Sequence, residues 1–109
     1  MNQLFSLDGK VIVVTGGTGI IGKAFIEAIS EAGGTVGILG RNRNVAEERA
    51  TKINLNGGKA IALCADVTNK NDRTNAKKLM LNTYGKIDGL VNAAGGNMPE
   101  AIVEKEKDI

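Results

Sequence analysis

Residues 15–22 read Thr15, Gly16, Gly17, Thr18, Gly19, Ile20, Ile21, Gly22, and Gly17, Gly19 and Gly22 among them satisfy a G-x-G-x-x-G spacing. The loop follows the β-branched run Val11, Ile12, Val13, Val14 and opens an amphipathic segment. Between a strand and a helix such a loop suits a diphosphate. One glycine permits a tight turn, one lets the backbone approach the phosphates, and one lets helix and strand touch. The helix mouth adds unpaired N–H groups and the positive end of its dipole. About twenty residues past a loop of this kind, an Asp or Glu selects NAD through the ribose hydroxyls, whereas an Arg accommodates the 2′-phosphate of NADP. Here the turn reads Gly40, Arg41, Asn42, Arg43, without a carboxylate. Arg41 brings a planar, permanently charged fork suited to phosphate, so NADP(H) is favoured over NAD(H). The bland alternative is a solvated basic turn.

The loop admits three rival readings. Gly17 to Ala24 is a near match to G-x-x-x-x-G-K-[ST], with Asp66 after an apolar strand as a mimic of the second carboxylate motif. Ala24 lacks the hydroxyl that such a site places on magnesium. A methyl-donor site would want an acidic residue at the end of the second strand, and none is there. A glycine turn that merely packs is the third.

A phosphate loop needs a sheet and helices to hold it, and the pattern supplies them. Val11 to Val14 reads as a strand buried on both faces. The helix that follows sets Ile21, Phe25, Ala28, Ile29 and Ala32 on one face, and Gly33 and Gly34 stop it. Thr35 to Leu39 is a second strand. Asn44 and Glu47 have capping-box spacing for a second helix ending near Gly57 and Gly58. Ala60 to Cys64 is a third strand. A third helix starts at Asn69 or a neighbour, carries Ala76, Leu79, Met80 and Thr83 inward, and ends at Gly85. Ile87 to Val91 is the fourth strand. Strands separated by helices pair in parallel through right-handed crossovers. The expected fold class is α/β: a partial Rossmann, doubly wound parallel sheet, βαβαβαβ, truncated after the fourth strand. Residues 1–98 form the N-terminal part of the dinucleotide-binding domain and 99–109 a loop or truncated helix, with an open sheet edge beside Val91.

Composition narrows the class. The chain has 109 residues, 14 Lys plus Arg against 12 Asp plus Glu, a net charge of +2, and no long apolar run. That balance points to neither nucleic acid nor a membrane as partner, and a cytoplasmic protein is expected. One Cys and no His exclude a disulfide framework, a Cys/His metal site and a His-based triad. Cys64 reads as a buried strand residue without reactivity, and no metal ligands are assigned.

With these elements in hand, TGGTGIIG at 15–22, Asp66-Val67 after the third strand, and YGKIDGLVNAAGG at 84–96 together resemble the short-chain dehydrogenase/reductases over about Leu7 to Met98. The stretch FSLDGKVIVVTGGTGIIGKAF and NAAGGN are similar to members that handle sugar acids such as mannonate or fructuronate. The resemblance implies that the backbone of Gly16, Gly17, Thr18, Gly19, Ile20 and Ile21 cradles the diphosphate. It sets Thr18 and Arg41 near the adenosine ribose and any 2′-phosphate, counts Asn42 among the cofactor-binding residues, and sets Asp66 and Val67 beside the adenine, with the Asp66 carboxylate accepting from its amino group. Asn92, Ala93, Ala94 and Gly95 match the segment beside the cofactor, Asn92 being equally suited to tying the central strands together. Two departures stand out. The family's usual loop has a glycine where Ile20 stands, giving here the T-G-x-x-G-x-x-G of the extended branch, and Ala93 replaces the second Asn of N-N-A-G.

The family's chemistry uses Y-x-x-x-K with an upstream Ser. The chain's single Tyr, Tyr84, has Asp88 four positions on, so no catalytic residue is assigned and Tyr84 reads as a packing residue. The implied function is the cofactor-binding N-terminal half of an NAD(P)(H)-dependent oxidoreductase acting on a small carbonyl or alcohol, with a homo-oligomeric parent and no turnover by this portion alone. The alternative is a non-catalytic dinucleotide-binding or regulatory module.

Overall fold

The period of two along a strand sorts the core into two layers. The computed structural model describes residues 6–93 and 103–104. In β1 (Val11–Thr15), Ile12 and Val14 join one apolar cluster and Val11 and Val13 the other, because successive side chains leave a strand on opposite faces. On the first face lie α1 (Ile20–Glu31), through Ile26 and Ile29, and α2 (Arg43–Leu55), through Ala46, Ala50 and Ile53. On the second lies α3 (Lys70–Tyr84), through Ala76 and Met80. β2 (Thr35–Gly40), β3 (Lys59–Cys64) and β4 (Gly89–Asn92) complete a parallel sheet in the order β3-β2-β1-β4. Every residue of β1 and β2 is buried, as continuous apolar runs in a doubly covered sheet should be. This is the doubly wound βαβαβαβ arrangement expected from the sequence.

The winding also fixes where a ligand can sit. The chain steps outward from β1 to β2 to β3, then α3 returns it across the other face to β4, on the far side of β1. Loops leaving the strand C-termini diverge at that reversal and leave a crevice.

Several local readings shift. The second helix is capped by Asn42, not Asn44; the Asn42 Oδ1 accepts from the Val45 N–H at 3.1 Å. Glu47 pairs instead with Arg43, one turn back, at 3.6 Å. In α1 the inward face is Gly22, Ile26 and Ile29, while Ile21 and Ala28 are exposed and Phe25 is half-buried. The rotation follows from Gly22, which alone can lie flat against the preceding loop. In α3, Ala76 and Met80 face inward as expected, but Leu79 and Thr83 are exposed. Cys64 is exposed too, because β3 is the outermost strand on its side.

On the free side of β4, β5 (Val103–Glu104) pairs antiparallel, Val91 opposite Val103 and Leu90 opposite Glu104. Residues 103–104 are therefore strand and not the loop or helix end read there; a bare edge is a template for any extended segment. The boundary at 98 and the rest of 99–109 lie outside the described residues.

Candidate functional site

The glycine loop is built by three contacts that a side chain would forbid or distort. Gly16 takes φ +73° directly after β1, the left-handed conformation that favours glycine. The tight turn thus belongs to Gly16 and not to a glycine of the G-x-G-x-x-G spacing. A Cβ on Gly22 would collide with the Gly16 carbonyl, so the first turn of α1 rests on the loop backbone. Gly17 lies beneath: its N–H donates to the Leu39 carbonyl at 2.9 Å, and its own carbonyl accepts from Arg49 Nη1 at 2.7 Å. Gly17 stitches the loop to β2 and to α2.

Gly19 is the N-cap of α1 and brings no capping side chain. Its carbonyl accepts from the Lys23 N–H at 3.0 Å and from Arg49 Nη1 at 2.8 Å. The first turn of α1 carries no acidic residue. A helix opened in this way presents unmatched N–H groups and a positive dipole end outward.

The facing wall comes from the ends of β2 and β3. Thr18 packs over Gly40, where any Cβ would meet its side chain. Arg41 is largely exposed, with Nη1 3.9 Å from Asp66 Oδ2, whereas Arg43 is engaged by Glu47. Asp66 Oδ1 accepts from the Thr68 hydroxyl at 2.7 Å and the Thr68 N–H at 2.9 Å. These two bonds hold the Asp66 carboxyl below the ordinary carboxylate range; burial opposes them, and the charge of Arg41 adds in their favour. The Asp66 N–H donates to Asp72 Oδ2 at 2.8 Å, and Arg73 donates to the Val67 carbonyl at 2.9 Å. Both tie the turn after β3 to α3.

The two walls enclose an open crevice of about 630 Å³ lined by Gly16, Thr18, Gly19, Ile20, Ile21, Gly40, Arg41, Asn42, Asp66, Val67, Thr68 and Ala93. Ten of the residues expected from the sequence are therefore together. Gly17 sits under the loop. Asn92 Oδ1 accepts from the Thr15 hydroxyl at 3.1 Å, tying β4 to β1, the structural role held open for it. Ala94 and Gly95 lie outside the described residues. Tyr84 packs against the α3-side core, and burial raises its phenol above the ordinary value.

Thr68 and Arg49 carry no role in the sequence reading, and Gly40 enters it only as the start of the basic turn. Thr68 had a local signal, since an Asp followed two residues later by Thr forms a side-chain-to-backbone turn. Arg49 had none, because its partners lie 30 and 32 residues away.

The crevice has the volume of a small-molecule site, and comparison with known proteins decides the family. The model of the short chain dehydrogenase family matches residues 10–108. The chain belongs to the short chain dehydrogenases. Within that family, this short chain dehydrogenase sequence is 37% identical over 101 residues to an uncharacterized oxidoreductase, UxuB, of Bacillus subtilis (strain 168), covering 93% of the chain and 36% of the relative. Among solved structures it is similar to hydroxysteroid dehydrogenase from Escherichia coli, with TM-score 0.81, 32% identity, and 91% and 43% of the two chains covered. It is also similar to a proposed D-mannonate oxidoreductase from Haemophilus influenza with bound NAD, with TM-score 0.79, 29% identity, and 86% and 34% covered. The chain thus spans about a third of the length of the curated relative it matches. Among the described residues no helix is long and apolar enough to cross a membrane.

Proposed function

We propose that this chain binds a nicotinamide dinucleotide, with the diphosphate at the mouth of α1, as the cofactor-binding portion of an NAD(P)(H)-dependent oxidoreductase. The carrying observation is that α1, alone of the three helices among the described residues, opens without a side-chain cap and does so onto the crevice. Thr18, Ile20 and Ile21 supply backbone donors, while the Gly19 N–H is spent within the loop on the Gly16 carbonyl at 3.0 Å. Asp66 and Val67 border the adenine, and Ala93 continues the wall toward the nicotinamide. The reaction is hydride transfer between the nicotinamide and a carbonyl or alcohol carbon of a small substrate, in a homo-oligomeric, cytoplasmic parent. The protein's share is binding, orientation and electrostatics.

Arg41 favours NADP(H). It stands on the crevice wall, paired with Asp66 at 3.9 Å and exposed to water, a loose pairing that a 2′-phosphate can displace. The test is calorimetry with both reduced cofactors. Arg41→Ala should weaken NADPH by about tenfold or more and NADH by much less, as loss of a charge-assisted phosphate contact would. Equal losses contradict the assignment. A preparation of residues 1–109 alone should show no steady NADPH consumption with carbonyl substrates, since Y-x-x-x-K does not occur in it.

A further inference from the structure

Arg49 stands on α2, yet its Nη1 donates to two carbonyls of the glycine loop, Gly17 O at 2.7 Å and Gly19 O at 2.8 Å. One guanidinium nitrogen carries two hydrogens, one for each acceptor. A peptide unit is planar and trans, so its carbonyl and its N–H point in opposite directions. The two units held by Arg49 are Gly17–Thr18 and Gly19–Ile20. Their far ends are the N–H groups of Thr18 and Ile20, and both residues line the crevice.

We propose that Arg49 is a positioning residue for the diphosphate: it pins two carbonyls from behind the loop and so aims the Thr18 and Ile20 amides at the bound dinucleotide. The inference rests on the dinucleotide reading above. The loop needs such a device because its glycines leave the backbone torsions soft. Rotation of the Gly17–Thr18 unit would turn a carbonyl oxygen toward the phosphates in place of an N–H. Charge-assisted bonds are roughly twice as strong as neutral ones, and a carbonyl bonded to a cation polarises its own peptide, making the N–H a better donor. Arg49 also fixes a positive charge one peptide unit behind the anion.

The experiment compares the protein with Arg49→Met, which keeps an apolar stem without donors, and Arg49→Lys, which keeps the charge without the guanidinium. NADH and adenosine, the second lacking a diphosphate, are titrated by calorimetry, and amide spectra of the unliganded proteins are recorded. Arg49→Met should weaken NADH by about tenfold, leave adenosine nearly unchanged, and move or broaden the Thr18 and Ile20 signals. The Val45 and Asp72 amides, held by side-chain caps, should stay in place. Arg49→Lys should recover part of the NADH affinity. The proposal is overturned if Arg49→Met binds NADH as the parent does, or if it loses NADH and adenosine alike with Thr18 and Ile20 unmoved. If the unaltered protein binds no NADH, the dinucleotide reading fails instead. The unliganded spectra then still decide whether Arg49 orders the loop.

Discussion

Among the described residues three helices begin at the same edge of the sheet, and they begin differently. α2 and α3 are closed by asparagine: Asn42 Oδ1 accepts from Val45 N–H at 3.1 Å, and Asn69 Oδ1 from Asp72 N–H at 2.9 Å. α3 goes further, placing Asp72 in its first turn, where its Oδ2 also takes the Asp66 N–H. α1 begins at Gly19 with neither cap nor carboxylate. A missing cap ordinarily weakens a helix by about 1 kcal/mol, so a bare mouth needs another source of stability. In α1 that source is burial of Ile26 and Ile29 against β1 and β2 and close seating on the loop at Gly22. The same fold position is thus self-satisfied twice and left open once, and the open one faces the crevice.

The contrast can be broken most severely at Gly22. Gly22→Ala places a methyl against the Gly16 carbonyl, and we predict a loss of about 3 kcal/mol in urea unfolding together with loss of dinucleotide binding. Near-normal stability would mean that the loop yields where the account makes it rigid. Next is Gly19→Asp. Gly19 has extended torsions that any residue adopts, and a Cβ there has room. The carboxylate should cap α1, raising stability by up to about 1 kcal/mol. It should also repel phosphate, so that calorimetry shows NADH affinity falling by about a hundredfold. Tighter or unchanged binding would show that the mouth of α1 is not the anion site.

Smaller effects belong to the closed mouths. Asn69→Ala should reduce stability by about 1 kcal/mol and leave NADH affinity within error, the reverse of Gly19→Asp; a melt and a titration together check this. Asp66 gives the smallest effect, seen with pH. Its carboxyl is held below the usual range by the bonds from Thr68. Its contribution is therefore complete above the unfolded-state value and fades as pH falls through the lower, folded one. Acid melts of the parent should show this loss, and Asp66→Asn, which still offers an oxygen to Thr68, should flatten it. Identical acid limbs would remove Asp66 from the account.

How much was legible in the sequence follows the same division. The strands were readable because β-branched and apolar runs such as Val11 to Val14 need no partner to be recognised. The glycine loop was readable because its residues are adjacent. Helix faces were read less well. In α1, Ile20, Ile21, Ala24, Phe25, Ala28 and Ile29 leave little contrast between sides, and the packing of Gly22 on Gly16 decides which side turns in. The cap of α2 was misplaced by two residues because Asn42 and Asn44 are chemically alike, and only the path of the chain out of β2 tells them apart. At the site, Arg41, Asn42, Asp66 and Val67 came from strand ends that a pattern can locate. Arg49 came from the middle of a helix, and its part depends on tertiary contact alone.

On the proposed reading, the amides opening α1 hold the diphosphate. Titrating the isotope-labelled protein with NADH and following every amide tests it directly. Thr18, Ile20 and Ile21 should show the largest downfield shifts, with Val45 and Asp72 nearly still. Largest shifts at the mouths of α2 or α3, or saturating binding that leaves residues 18–21 unmoved, would contradict it.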